Sequence, residues 1–84
     1  MEFVYNTRGT CSSQIIIDIA VDKTITSVRF IGGCNGNLKG IAKLVEGQQI
    51  DEVISRLEGI TCGFKPTSCP DQLATALKQI KEKI

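Results

Sequence analysis

Residues 14–30, with the sequence QIIIDIAVDKTITSVRF, carry the clearest hydrophobic pattern of the chain. The odd-numbered residues of Ile15–Val21 are all aliphatic and alternate with their neighbours, which predicts a strand with one buried face. Asp22-Lys23 reads as a two-residue turn, and Thr26, Val28 and Phe30 then form one face of a second strand. A short β-type run over Phe3–Thr7 adds a third strand beside this antiparallel hairpin.

After residue 32 the hydrophobic period lengthens to that of helices. Three helices are predicted, and their apolar positions are Leu38, Ile41, Ala42 and Val45; Ile50, Val53, Ile54 and Leu57; and Leu73, Ala76, Leu77, Ile80 and Ile84. The order of elements is therefore β-β-β-α-α-α. This order predicts an α+β fold in which a three-stranded antiparallel sheet is followed by three helices packed on one of its faces.

The ends of the helices also carry signals. Asn35 or Asn37 is available to cap the first helix, and Gly47 ends it. Pro70 suits the first position of the third helix, which places Cys69 at its N-cap.

The composition describes an ordinary small globular domain. The 84 residues are 42% hydrophobic and 23% charged, with a net charge of +1, and we expect residues 1–84 to form a single domain. No basic stripe indicates nucleic-acid binding, and no apolar run approaches membrane-spanning length. The N-terminal residues lack the pattern of a signal peptide, so we expect a cytoplasmic location.

Four cysteines are the chemically distinctive residues: Cys11, Cys34, Cys62 and Cys69. In a reducing compartment four cysteines suit metal binding or redox chemistry better than permanent disulfides, although buried cysteines also serve as small hydrophobic residues. The chain has no histidine, so a metal site would be all-sulfur and would select zinc or an iron–sulfur cluster. Strand topology brings Cys11 and Cys34 to one edge of the sheet, whereas Cys62 and Cys69 are placed only in a common loop.

Other chemistries find less support in the residues. The glycine-rich segment 32–37 precedes a helix as phosphate-binding loops do, but it matches neither the Walker nor the dinucleotide pattern. Catalysis by a cysteine or serine nucleophile would lack a histidine base. Nucleotide binding has no residue in its support.

Residues Thr67-Ser68-Cys69-Pro70-Asp71 read TSCPD, the pentapeptide that names a family of small domains found alone or at the C-terminus of ribonucleotide reductases. The chain resembles the standalone four-cysteine members over its whole length. This resemblance implies a metal-binding or redox role that is accessory to ribonucleotide reduction, with a ribonucleotide reductase as the protein partner. We expect the metal ligands to be Cys11, Cys34, Cys62 and Cys69.

A second resemblance, over roughly residues 9–82, is to the NifU/IscU-type iron–sulfur scaffolds. Gly9-Thr10-Cys11, Gly33-Cys34-Asn35 and Ser68-Cys69 resemble three cysteine motifs of those scaffolds, which implies that Cys11, Cys34 and Cys69 converge. The chain has Ser13 where the scaffolds carry an aspartate and Ser68 where they carry a histidine, and it adds Cys62. Because four thiolates suit an ion that stays bound, we expect a retained zinc ion or cluster.

Two other hypotheses stay open. The cysteines could form a redox-active dithiol, Cys62 with Cys69, that acts in the turnover of ribonucleoside-diphosphate reductase. They could also form a transient iron–sulfur scaffold that hands its cluster to acceptor proteins. In the favoured hypothesis the chain is a binding module and is not an enzyme by itself, although it could be a component of ribonucleoside-diphosphate reductase.

Overall fold

The structure is a computed structural model that describes residues 1–33 and 35–84. Three strands are followed by three α-helices. The strands are β1 (Glu2–Asn6), β2 (Ser12–Ile19) and β3 (Ile25–Gly32), and the helices are α1 (Asn35–Val45), α2 (Ile50–Leu57) and α3 (Cys69–Lys83). The predicted α+β order is confirmed.

The sheet has the order β1-β2-β3, and both neighbouring pairs are antiparallel. Phe3 pairs with Ile17 across the first pair, and Ile17 pairs with Val28 across the second. Because the strands run in alternating directions, the β1–β2 connection and the end of β3 lie at the same end of the sheet. This is the end at which Cys11 was predicted to lie.

The inward face of the sheet follows the alternation along β2. Ile15, Ile17 and Ile19 are buried, but the expected continuation to Val21 is wrong, because β2 ends at Ile19 and Val21 is fully exposed in the turn. The turn is also longer than the predicted Asp22-Lys23 pair, since β3 begins only at Ile25.

A register shift in β3 changes which residues face the core. Asp18 pairs with Ser27 and Ile19 pairs with Ile25, so Thr26 is the extra residue of a bulge. Thr26, which was predicted to share a face with Val28, is exposed and its hydroxyl donates to the Asp18 carbonyl, while Ile25 is buried. Val28 is buried as expected.

The three helices begin and end close to the predicted limits. Gly47 and Gly59 follow the first two helices with positive φ angles, a conformation that glycine adopts without steric cost. The cap of α3 is one residue earlier than predicted: Ser68 is the N-cap, because its hydroxyl oxygen accepts a hydrogen bond from the Asp71 N–H, and Cys69 is the first helical residue.

The core lies between the sheet and the helices. It is built from Ile15, Ile17, Ile19, Ile25 and Val28 of the sheet and from Ala42, Val45, Ile50, Val53, Leu73, Ala76, Leu77 and Ile80 of the helices. Helix α1 packs on β3, and α2 packs on α3. Of the helices in the described part of the chain, none combines the length and the apolar character that crossing a bilayer requires.

Candidate functional site

Three of the four cysteines line one cavity at the end of the sheet where β1 connects to β2. Cys11 comes from that connection, Cys62 from the loop between α2 and α3, and Cys69 from the first turn of α3. The cavity has a volume of about 210 Å³, and its far wall is formed by Leu38 and Ile41 of α1. Residues that are 58 positions apart in the chain thus meet around one small space.

Cys69 is the buried member of this group, with 7% of its surface exposed. Its sulfur lies 3.2 Å from the hydroxyl oxygen of Ser12, which is itself 4% exposed. Burial alone would raise the pKa of the Cys69 thiol. Hydrogen bonds from the Ser12 hydroxyl and N–H, with help from Thr10 and Cys11, outweigh that effect and hold the pKa below its ordinary value.

The position of Cys69 at the start of α3 also favours its thiolate form. The residue begins a helix of 15 residues, where free backbone N–H groups carry partial positive charge. A thiolate is stabilised in such a position, and the thiolate is the form that binds metals and attacks disulfides. Hydrogen bonding and helix position therefore both favour the thiolate of Cys69.

Cys11 is exposed, and the backbone of Gly33, the residue after β3, lies close to its sulfur. A Cβ atom added to Gly33 would stand 3.1 Å from the Cys11 sulfur and 2.9 Å from Leu38 Cδ1. Gly33 also has a φ of +85°, so glycine is needed there for both conformation and space. The residue that precedes Cys34 in the chain is thus held beside Cys11.

Cys62 is exposed on the loop between α2 and α3. Its N–H donates to the Thr67 carbonyl at 3.2 Å, and its carbonyl accepts from the Lys65 N–H at 3.0 Å. These two bonds close the loop on itself and place Cys62 and Lys65 on the cavity wall.

The predicted set of four ligands is thus located in part. Cys11, Cys62 and Cys69 share a cavity, whereas Cys34 lies outside the described residues. Within residues 1–33 and 35–84, no three cysteine or carboxylate side chains stand close enough together to hold a metal ion. Metal binding by the four cysteines stays a prediction.

Polar neighbours of Cys69 were missed by the sequence reasoning. The Ser68 hydroxyl donates to the Ile60 carbonyl at 2.6 Å, and the Asp71 carboxylate accepts from the Gly59 N–H at 2.8 Å and from the Thr67 hydroxyl. These bonds fasten the Cys62 loop to the start of α3. The serine and aspartate flanking Cys69 are a familiar helix-start signal, but their second partners are set by tertiary structure.

Comparison with known proteins gives one family. The model of the TSCPD domain matches residues 3–81, nearly the whole chain, which confirms the resemblance drawn from the pentapeptide. No curated protein and no solved structure matches the chain, so the likeness to NifU/IscU scaffolds stays a prediction. The chain belongs to the TSCPD domain family, which is associated with ribonucleotide reductases.

Proposed function

We propose that this chain is a metal-binding module that retains a zinc ion or an iron–sulfur cluster through Cys11, Cys34, Cys62 and Cys69. The observation that carries the proposal is the convergence of Cys11, Cys62 and Cys69 on one cavity from three separate segments. A core alone would not require three thiols at a shared surface, because Cys11 and Cys62 are exposed and, of these three, Cys69 alone is buried.

The chemistry of the donor set fits zinc or an iron–sulfur cluster. Both prefer thiolate sulfur, and the chain has no histidine to supply nitrogen. Hydroxyl and amide donors around Cys69 favour its thiolate before any metal arrives. The described sulfurs do not yet form a coordination group, so we propose that the exposed Cys62 moves inward and that Cys34 completes the set.

An anaerobic titration tests the ligand assignment. The reduced, metal-free protein is titrated with Co²⁺, and the thiolate-to-cobalt charge-transfer absorption is compared between the wild type and the four single Cys→Ser variants. We expect saturation at about one ion per chain, with reduced absorption in every variant. Ser13→Ala is the control that leaves all four sulfurs in place. Absence of a charge-transfer band in the wild type would contradict metal binding by these thiols.

The role in ribonucleotide reduction is proposed from the family association. A reductase from the same organism should turn over faster, or for longer, when the metal-loaded protein is added. The quadruple Cys→Ser variant is the control and should have no effect. An identical effect of the wild type and this variant would reject a role that depends on the cysteines.

A redox dithiol is the second candidate, and the neighbourhood of Cys11 and Cys69 favours it. For this scheme we propose the pair Cys11 and Cys69 beside the predicted pair Cys62 and Cys69, because the Cys11 thiol is among the groups that lower the pKa of the Cys69 thiol. In this scheme the Cys69 thiolate attacks a disulfide of the partner and releases one partner thiolate. The Cys11 thiolate then attacks the mixed disulfide and releases the second partner thiolate. The partner is thereby reduced, and Cys11 and Cys69 are oxidised to a disulfide.

The two candidates are separated by trapping. Under the redox scheme, Cys11→Ser leaves Cys69 unable to resolve the mixed disulfide, so a covalent complex with the oxidised partner accumulates. Cys62→Ser serves as the matched variant and should not trap. If neither variant forms the complex, the dithiol scheme is excluded.

A further inference from the structure

A buried glutamine joins the two chain segments that carry Cys11 and Cys69. Gln72 lies in the first turn of α3, three residues after Cys69, and only 8% of its surface is exposed. A buried amide is costly unless both its donor and its acceptor are paired. The partners of Gln72 therefore indicate why a polar side chain occupies this position.

Both ends of the amide are paired. Gln72 Oε1 accepts from the Arg8 backbone N–H at 3.0 Å and from the Tyr5 hydroxyl at 3.3 Å. Gln72 Nε2 donates to the Thr67 hydroxyl at 3.1 Å. One side chain thus bonds the end of β1, the β1–β2 connection and the residue that precedes the cap of α3.

The bond to Arg8 is the one that bears on the cysteines. Arg8 is three residues before Cys11 in the short β1–β2 connection. The same connection contains Gly9, and a Cβ added to Gly9 would stand 3.2 Å from the methyl group of Thr67. The connection is also closed on itself, since the Thr7 N–H donates to the Ser13 carbonyl at 3.1 Å. A shift of Arg8 would therefore be transmitted through a compact loop to Cys11.

We propose that Gln72 is a positioning residue that sets the separation of Cys11 from Cys69, an inference that gains its functional meaning from the proposed thiolate site. Gln72 does not face the cavity and acts through Arg8. Through this bond it restrains the segment that carries the exposed Cys11 relative to the helix that begins with the buried Cys69.

The test measures proximity directly and uses the metal-free protein, so it does not depend on metal binding. In a Cys34→Ser/Cys62→Ser background, the equilibrium of the Cys11–Cys69 disulfide with reduced and oxidised glutathione gives the effective concentration of the two thiols. Gln72→Met removes the amide and preserves the length of the side chain. Arg8→Pro removes the same hydrogen bond from an exposed residue, and it serves if Gln72→Met fails to fold.

Two controls separate positioning from general stability. Gln79→Met makes the same change at an exposed position of α3, and Val53→Ala destabilises the core away from the loops. We expect Gln72→Met and Arg8→Pro each to lower the effective concentration about fivefold, as for the loss of one hydrogen bond, and both controls to leave it unchanged. An unchanged value in Arg8→Pro, or an equal fall in Val53→Ala, would overturn the inference.

Failure of the inference and failure of the proposed function give different results. If the wild type shows no cobalt charge-transfer band but Gln72→Met still lowers the effective concentration of the two thiols, the metal site alone is rejected. A normal cobalt band with no effect of Gln72→Met or Arg8→Pro on the effective concentration would reject the positioning role alone.

Discussion

The residues of the family pentapeptide act mainly on the backbone around Cys69. Ser68 caps α3 and bonds the Ile60 carbonyl, and Asp71 bonds the Gly59 N–H. Both bonds connect the start of α3 to the beginning of the segment that follows α2. The polar residues of the pentapeptide thereby hold one wall of the cavity in place while Cys69 supplies the sulfur.

Removing the Ser68 hydroxyl should destabilise the fold. Ser68→Ala loses the cap and leaves the Ile60 carbonyl without this donor, so we expect the free energy of unfolding to fall by about 1–2 kcal/mol. Urea denaturation measures the change. Ser55→Ala is the matched control, because Ser55 is exposed and bonds only a carbonyl in its own helix; it should change stability by less than about 0.5 kcal/mol. Equal effects would argue against the double role of Ser68.

Asp71 should make stability depend on pH in the acid range. The Thr67 hydroxyl, then the Gly59 N–H and the charge of Lys78, hold the pKa of the Asp71 carboxyl below its ordinary value against the opposing effect of burial. Because the pKa is lower in the folded state, the unfolded chain binds the proton first as the pH falls. The contribution of Asp71 is complete above the unfolded pKa of about 3.9 and is lost as the pH falls through the folded value.

Asp71→Asn tests this dependence. The variant should be less stable than the wild type at pH 7, by about 1 kcal/mol, and should lose less stability on acidification from pH 5 to pH 2. Urea denaturation across this range measures both quantities. Parallel curves for the two proteins would show that Asp71 contributes nothing to the acid transition.

At the scale of elements, the site depends on how the β1–β2 connection meets the end of β3. Gly33 follows β3, and its backbone lies against Cys11 and the N–H of Ser12. The left-handed conformation of Gly33 turns the chain from the sheet toward α1. Backbone geometry therefore accounts for Gly32 and Gly33 without a bound phosphate.

Gly33→Ala should lower the free energy of unfolding more than Gly47→Ala, the same substitution at another left-handed glycine. Gly47 has nearly the same φ, +82° against +85°, but an added Cβ there meets nothing within 4 Å. We expect Gly47→Ala to cost about 1–2 kcal/mol through backbone strain, and Gly33→Ala to cost about 1–3 kcal/mol more because it also crowds Cys11 and Ser12. Urea denaturation compares them, and equal costs would contradict the close approach.

Helix α1 offers a substitution that should stabilise the protein. Gly40 lies in the middle of α1, has no positive φ, and leaves open space where a Cβ would stand. Gly40→Ala should raise the free energy of unfolding by up to about 1 kcal/mol, because alanine loses less backbone entropy in a helix. Gly59→Ala, at a φ of +85°, should instead destabilise. A loss of stability in Gly40→Ala would contradict the helical assignment at that residue.

At the scale of the whole molecule, most of the fold could be predicted from hydrophobic period. Alternation located β2, and helical spacing located α1, α2 and α3. The bulge at Thr26 could not be predicted, because it depends on pairing with the neighbouring strand. The same limit applies to Val21, which continues the aliphatic alternation although the strand has ended.

The site was less predictable because its members are far apart in the chain. Strand topology placed Cys11 at the end of the sheet, but no local pattern brings Cys62 and Cys69 to it. Tertiary bonds do so: the bond of Gln72 to Arg8 joins α3 to the β1–β2 connection. Such contacts join residues 64 positions apart and leave no periodic signal.

The most direct test of the account is the metal content of the untagged protein purified anaerobically from its own organism. We predict about one zinc ion, or the iron and sulfide of one cluster, per chain, and none in the quadruple variant with serine at Cys11, Cys34, Cys62 and Cys69. A wild type that carries no more metal than this variant, with all four thiols free to react, would show that the four cysteines do not retain a metal.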